Sequence, residues 1–341
     1  MKALLYSAVR TASYVELPDP VPGPGEVRVR VAGTGICGSD VHGFLGLQAR
    51  RQPGLVLGHE TVGTIDQVGD GVDAGRVGAR VAVNPLVSCR ICPNCLKGRH
   101  SVCRDWHLIG LDRVPGAMAE WFVIPERNVH SLPAHVGDGA AVMIEPLANA
   151  VHLLSHVPEH AGAFPSIAIF GGGTFGAATL AVAKARGWNV VAVVEPNPGR
   201  AAAMRALGAP RTIDPRTEDT TALLRAWTDG VGPEVVADCV GRAATRRAAA
   251  DAVARGGTVL LLGLDEGATE LDFIDLVRRE IRLQCSYTYR EADFADALAM
   301  VVAGACDFGP WIDHVPLAEG QQAFDRLCTD PGDRLKIVLV P

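Results

Sequence analysis

The sequence predicts an α/β protein in two parts, a barrel-like β region and a doubly wound parallel sheet, on three observations. At 341 residues the chain exceeds the size at which one hydrophobic core normally suffices. Its first third is a series of short apolar alternations broken by glycine and proline, the period-two pattern of half-buried strands. From about residue 147 apolar runs alternate with alanine-rich helical stretches, as in successive βα units.

Strands are expected in the first part over 27–31, 56–57, 61–68 and 80–83, with long loops between them. In the second part a buried strand over 166–170 feeds a helix over 175–186. A strand over 189–194, a helix over 199–207, a strand over 234–240, a helix over 242–255 and a strand over 258–262 follow. The last stretch leaves this rhythm and ends on a strand over 335–340. No tandem repeat or low-complexity segment interrupts it.

Composition excludes several function classes. The chain is 48% apolar and 21% charged, as globular proteins are, and its net charge of -6 offers nothing to nucleic acid or an anionic membrane. Arg50-Arg51 and Arg246-Arg247 are short basic clusters that read as solvated faces, with Arg51 expected to point outward. No apolar run approaches the roughly 20 residues of a membrane helix, and the first residues lack a signal-peptide core. The reading is a cytoplasmic protein with a small-molecule substrate. Nine cysteines do not require disulfides in a chain of this size. Cys239, Cys285, Cys306 and Cys328 read as small core hydrophobes.

Gly171-Gly172-Gly173-Thr174-Phe175-Gly176 fits G-x-G-x-x-G and lies between a buried strand and a helix. In that context backbone amides and the helix N-terminus can hold a pyrophosphate. The next strand ends at Glu195, where a carboxylate accepts from ribose hydroxyls and repels a 2′-phosphate, favouring NAD over NADP. Arg200 works against that preference, since it can flank the adenine or neutralise a phosphate. A second match, Gly33-Thr34-Gly35-Ile36-Cys37-Gly38, is rejected because Gly43, Gly46 and Pro53 argue against a following helix.

Cys89, Cys92, Cys95 and Cys103 supply four thiolates within one loop, about 86–105, flanked by Pro93 and Gly98. Four soft ligands so close in sequence suit a closed tetrahedral zinc that pins the loop and leaves no position for substrate. A scattered set comprises Cys37, His59, Glu60 and Glu145. Spacing alone does not join these four.

The chain resembles the zinc-dependent medium-chain dehydrogenase/reductase family. The blocks that carry the likeness are Gly35-Ile36-Cys37-Gly38-Ser39-Asp40-Val41-His42, Leu57-Gly58-His59-Glu60, the four-cysteine loop, Gly116-Ala117-Met118-Ala119-Glu120-Trp121, Glu145-Pro146-Leu147-Ala148-Asn149-Ala150 and the glycine turn. The resemblance implies a GroES-like catalytic domain over 1–146 and 291–341 and a Rossmann domain over 147–290. It implies two Zn2+ per subunit, a catalytic ion among Cys37, His59, Glu60 and Glu145 and a structural ion in the four-cysteine loop. Ser39 and His42 would relay the proton released by an alcohol that the ion acidifies, while hydride passes to the nicotinamide. Asp40 would orient His59.

Val240, Gly263 and Leu264 would touch the nicotinamide half of the cofactor. The strand near 280–287 resembles the edge through which relatives form dimers or tetramers. Glu145 stands where alcohol dehydrogenases of the family carry cysteine, as in the polyol and threonine dehydrogenase branches. In those relatives one glutamate binds zinc directly and the other through water, and which does so here stays open.

The leading expectation is therefore a dehydrogenase for a polyol, sugar or cyclitol. A threonine or butanediol type is the alternative, and a non-catalytic, cofactor-binding relative with a structural or regulatory role is a second. Phe44 and Leu47, in the loop 44–51, suggest that part of the substrate pocket is apolar.

Overall fold

The computed structural model describes residues 1–112, 114–158, 165–329 and 332–341. The chain divides into two compact units, Met1–Glu145 with Arg290–Pro341, and Pro146–Tyr289.

The first unit is built on the alternation seen in the sequence. Along the strand Glu26–Gly35, Val27, Val29 and Val31 are buried while Arg28 and Arg30 face the other way. A seven-stranded sheet runs in the order Val129–Ser131, Arg80–Val83, Glu60–Val68, Glu26–Gly35, Lys336–Val340 and Ile312–Pro316, and Trp121–Pro125 also pairs with Glu26–Gly35. The C-terminal strand is thus an interior member of a sheet begun some 300 residues earlier. Its antiparallel register sets Val338 against Gly35, and the next strand over sets Gly35 against Glu60. A smaller sheet joins Thr11–Glu16, Lys2–Ala8 and Leu55–Val56.

The second unit is a six-stranded parallel sheet, ordered Thr212–Ile213, Asn189–Val194, Ser166–Phe170, Val235–Asp238, Thr258–Leu261 and Arg282–Cys285. In sequence rank this is 3-2-1-4-5-6, the Rossmann order, whose direction reverses beside Ser166–Phe170. The helices Thr174–Ala185, Pro198–Ala206 and Ala243–Ala252 lie within a few residues of the expected spans. Among the described residues no helix is long and apolar enough to cross a membrane.

Four sequence expectations fail here. A helix, Gly38–Phe44, does follow Gly33–Gly38, despite Gly43. Phe44 does not face a pocket: it is fully buried and stacks on Phe324 with ring centroids 4.8 Å apart, whereas Leu47 stands in solvent. Cys285 is exposed on the edge strand rather than packed in a core. Arg51 is 2% exposed and points inward. A charge inside is unfavourable without a partner, and the partner lies on a segment whose proximity only the folded chain reveals.

Candidate active site and metal centres

Cys37 precedes the helix Gly38–Phe44, and His59 and Glu60 open the strand Glu60–Val68 from its N-terminal side. The pairing of Gly35 with Glu60 draws these ends together. Ligand atoms of Cys37, His59 and Glu60 all fall within 4.8 Å of one another, and all three residues are buried. A thiol, an imidazole and a carboxylate gathered without solvent form a donor set suited to a divalent ion of zinc's character. Glu145 is buried in the first turn of the helix Ile144–Leu154 and lies outside that trio.

Two charged residues behind the trio escaped sequence reasoning. Lys336 Nζ donates to Glu60 Oε1 at 2.9 Å and to the Ile36 carbonyl at 3.2 Å, and lies 2.7 Å from Glu60 Oε2. Burial opposes a charged lysine there, but Glu60 and Cys37 outweigh it and raise its pKa. A single lysine inside Leu335-Lys336-Ile337-Val338-Leu339-Val340 was the available signal, since such a run is otherwise all core.

Arg51 lies 3.1 Å from Asp40 Oδ1 and donates to Ser39 Oγ at 3.1 Å. Asp40 in turn lies 3.5 Å from His59 Nδ1, and its Oδ2 accepts from the Cys37 backbone N–H at 3.1 Å. Burial pushes the Asp40 carboxyl up, but His59 and Arg51 outweigh it and hold it at about 2. For His59 burial pushes down, and Asp40 overrides it, raising the imidazole well above its ordinary value in the metal-free chain. Ser39 and His42 sit three residues apart on the same short helix, on neighbouring faces.

In the four-cysteine loop Sγ–Sγ separations are 3.4 Å for Cys89–Cys103 and 3.9 Å for both Cys89–Cys95 and Cys92–Cys103. Tetrahedral zinc–sulfur bonds of about 2.3 Å place sulfurs about 3.8 Å apart, so the cluster fits such an ion closely. The backbone groups of Cys95 and Arg104 draw Cys92 down to about 6, while burial pushes Cys95 up to about 12. All nine cysteines are free of disulfides.

In the parallel-sheet unit, Gly171 follows the first strand at φ +98°, where a side chain would be strained, and a Cβ there would lie 2.7 Å from Val240 Cγ2. Gly173 is the N-cap of the helix Thr174–Ala185 and makes no side-chain cap hydrogen bond, and Thr174, Phe175 and Gly176 form its first turn. Glu195, at the end of the next strand, is rigidly held: Oε2 accepts from Gly172 N–H at 2.6 Å and Oε1 from Asn197 N–H at 2.7 Å. Arg200 follows in the first turn of Pro198–Ala206, where its N–H donates to the Asn197 side chain at 3.0 Å. The Val240-Gly241 and Gly263-Leu264 turns abut so closely that a Cβ on Gly263 would lie 2.1 Å from the Val240 carbonyl carbon. Leu264 is exposed.

Two family models match in tandem: the alcohol dehydrogenase GroES-like domain over residues 23–134 and the zinc-binding dehydrogenase over residues 175–303. The chain belongs to the zinc-binding, medium-chain alcohol dehydrogenase family, as its motifs led us to expect. It is 32% identical over 333 residues to the 2-dehydro-3-deoxy-L-galactonate 5-dehydrogenase of Pseudoalteromonas atlantica, covering 97% of this chain and 96% of that protein. It is 36% identical over 269 residues to the L-threonine 3-dehydrogenase of Pyrococcus furiosus, covering 78% of this chain and 76% of that one. A zinc-binding dehydrogenase from Sinorhizobium meliloti 1021, solved bound to NADP, superposes with a TM-score of 0.90 at 28% identity, covering 100% of this chain and 99% of that one.

Proposed function

We propose that the protein transfers hydride between NAD(H) and a secondary alcohol or ketone, with a polyol, sugar or cyclitol as substrate. The observation that carries this reading is the buried convergence of Cys37, His59 and Glu60 beside Ser39. These three hold a catalytic zinc, with Glu145 as a further ligand and Lys336 sharing Glu60 with the ion. When bound there, zinc supplies Lewis acidity towards a substrate hydroxyl, and the nicotinamide supplies the hydride acceptor. Ser39 takes up the released proton and His42 passes it towards solvent. Cys89, Cys92, Cys95 and Cys103 hold a second zinc that pins the loop about 86–105. A threonine or butanediol substrate is the second reading, favoured by the identity to a threonine dehydrogenase.

The test is an NAD-reduction screen over polyols, sugars, cyclitols, threonine and simple secondary alcohols, with and without a chelator. Zinc-loaded protein that binds NADH yet turns over nothing in the panel would leave only the non-catalytic reading.

The amides of the glycine turn hold the pyrophosphate, Glu195 reads the adenosine ribose, and Arg200 flanks the adenine. The turns at Val240, Gly263 and Leu264 meet the nicotinamide half. Both Glu195 oxygens keep lone pairs beyond those spent on Gly172 and Asn197, and these suit ribose hydroxyls. NAD is preferred over NADP on that ground, although the Sinorhizobium neighbour carries NADP. Hydrogen bonds to a charged group contribute about 1.5–3 kcal/mol, so Glu195→Ala should shift the ratio of kcat/KM for NAD over NADP about 10- to 100-fold towards NADP. An unchanged ratio would mean that another group reads the ribose.

Among the described residues the strand Arg282–Cys285 pairs on one side only, and Phe273, Ile274 and Val277 beside it in sequence are each more than 60% exposed. We assign this edge to a homodimer or homotetramer contact. Light scattering should give a multiple of the 35.9 kDa chain mass. A monomeric mass at micromolar concentration would remove the assignment. We assign the protein to a reducing compartment, the cytoplasm, a reading supported by its free cysteines, four of them in a metal-type cluster.

A further inference from the structure

We propose that Arg51 is a positioning residue for this chemistry. From a slot beside the helix Gly38–Phe44 it fixes the Ser39 hydroxyl and the Asp40 carboxylate, and through Asp40 the His59 ring. The inference rests on the reading of Cys37, His59 and Glu60 as the catalytic zinc site.

The slot is built for an arginine. Arg51 and Asp40 are both almost completely buried, at 2% and 0% exposure. Gly43 lines the passage, and a Cβ there would fall 2.3 Å from Arg51 Cδ and 2.9 Å from its Cβ. Glycine within a helix is less favourable than alanine, so this helix gives up stability where the arginine stem passes. The neighbouring residue faces the opposite way. Arg50 stacks 4.3 Å over Trp106 and donates to Asp112 Oδ1 at 2.9 Å. Two adjacent arginines therefore fasten the loop on both sides, one outward and one inward.

The inward contact has two consequences. A wholly buried carboxylate needs a cation beside it, and breaking such a pair leaves an uncompensated charge. A histidine that ligates zinc is neutral, so His59 cannot supply that charge in the loaded protein, whereas a guanidinium carries it permanently. Asp40 meets Cys37 through its backbone N–H and His59 through Nδ1, so its position is transmitted to two ligands. The second consequence concerns the relay. Ser39 Oγ accepts from Arg51, so its own proton cannot point at the guanidinium. The hydroxyl proton and the other lone pair remain for the substrate side and for His42. Arg51 itself touches no reacting atom.

The test uses full-length, zinc-loaded Arg51→Met, Arg51→Lys and Gly43→Ala. Metal retention is measured by titration with a chromophoric chelator, and kcat and KM with the best substrate of the screen. Arg51→Met should hold the catalytic zinc about 10- to 100-fold more weakly and lose kcat by a comparable factor. Its KM should stay within about twofold, and zinc in the four-cysteine loop should be retained. Arg51→Lys keeps the charge but not the planar guanidinium whose Nη2 meets both Ser39 and Asp40, and should fall between Arg51→Met and the unaltered protein. Gly43→Ala favours the helix yet expels the arginine stem, and should reproduce Arg51→Met.

Wild-type zinc affinity and kcat in Arg51→Met would overturn the proposal, as would equal loss of both zincs. If Arg51→Met does not fold, Gly43→Ala decides, and wild-type behaviour there overturns it. Unaltered protein that binds one zinc rather than two would instead sink the reading of the Cys37 site itself.

Discussion

Replacing Cys37 with serine is expected to abolish measurable turnover while leaving NADH binding nearly intact. A Lewis-acidic ion contributes several kcal/mol of transition-state stabilisation, which corresponds to a loss on the order of 1000-fold or more. Cys37 is one of three buried donors within 4.8 Å, and a hydroxyl is a far poorer zinc ligand than a thiolate. The residues assigned to the cofactor, from Gly171 to Leu264, belong to the other compact unit, so NADH titration should report an undamaged site. Steady-state rates and NADH fluorescence separate the two effects. Retained activity in Cys37→Ser would remove the catalytic-zinc assignment.

Lys336→Met should cost the first unit much of its stability. Lys336 and Glu60 side chains are each 1% exposed and lie 2.7 Å apart. Removing the cation strands Glu60 in a dry site, which costs about 3–5 kcal/mol when a buried pair is broken. For a unit of this size that lowers Tm on the order of 10 °C. Methionine is chosen because it fills the volume of the lysine stem, so the loss reports charge rather than a cavity. Adding Glu60→Gln to Lys336→Met should recover part of the loss by removing the stranded charge. A Lys336→Met protein that melts with the wild type, with or without chelator, would show that Glu60 does not depend on this lysine.

Legibility in the sequence followed distance along the chain. The glycine turn at 171–176 and the four-cysteine loop at 89–103 are local: the loop is readable from its spacing, and the turn from its spacing together with its place between a strand and a helix. Strands of the parallel sheet were visible because they are buried on both faces and read as continuous apolar runs, such as Val190 to Val194 within the strand Asn189–Val194. The helix after Gly38 was missed because Gly43 counts against it by propensity, and the reason for that glycine lies in Arg51. Phe44 reads as a pocket residue because nothing near it in sequence indicates Phe324, which it stacks against.

The sequence by itself determined the two-part α/β organisation, the family and the chemical types present at each site. Those properties reside in periodicity, in short glycine and cysteine motifs, and in the order of blocks along the chain. Tertiary structure alone decided which charged side chains turn inward: Arg51 onto Asp40 and Ser39, and Lys336 onto Glu60. It also decided that Cys37, His59 and Glu60 meet. The physical reason is that a buried charge is tolerated only beside its counter-charge. For Lys336 that partner arrives through the pairing of Lys336–Val340 with Glu26–Gly35 and of Glu26–Gly35 with Glu60–Val68, strands separated by up to some 300 residues of chain.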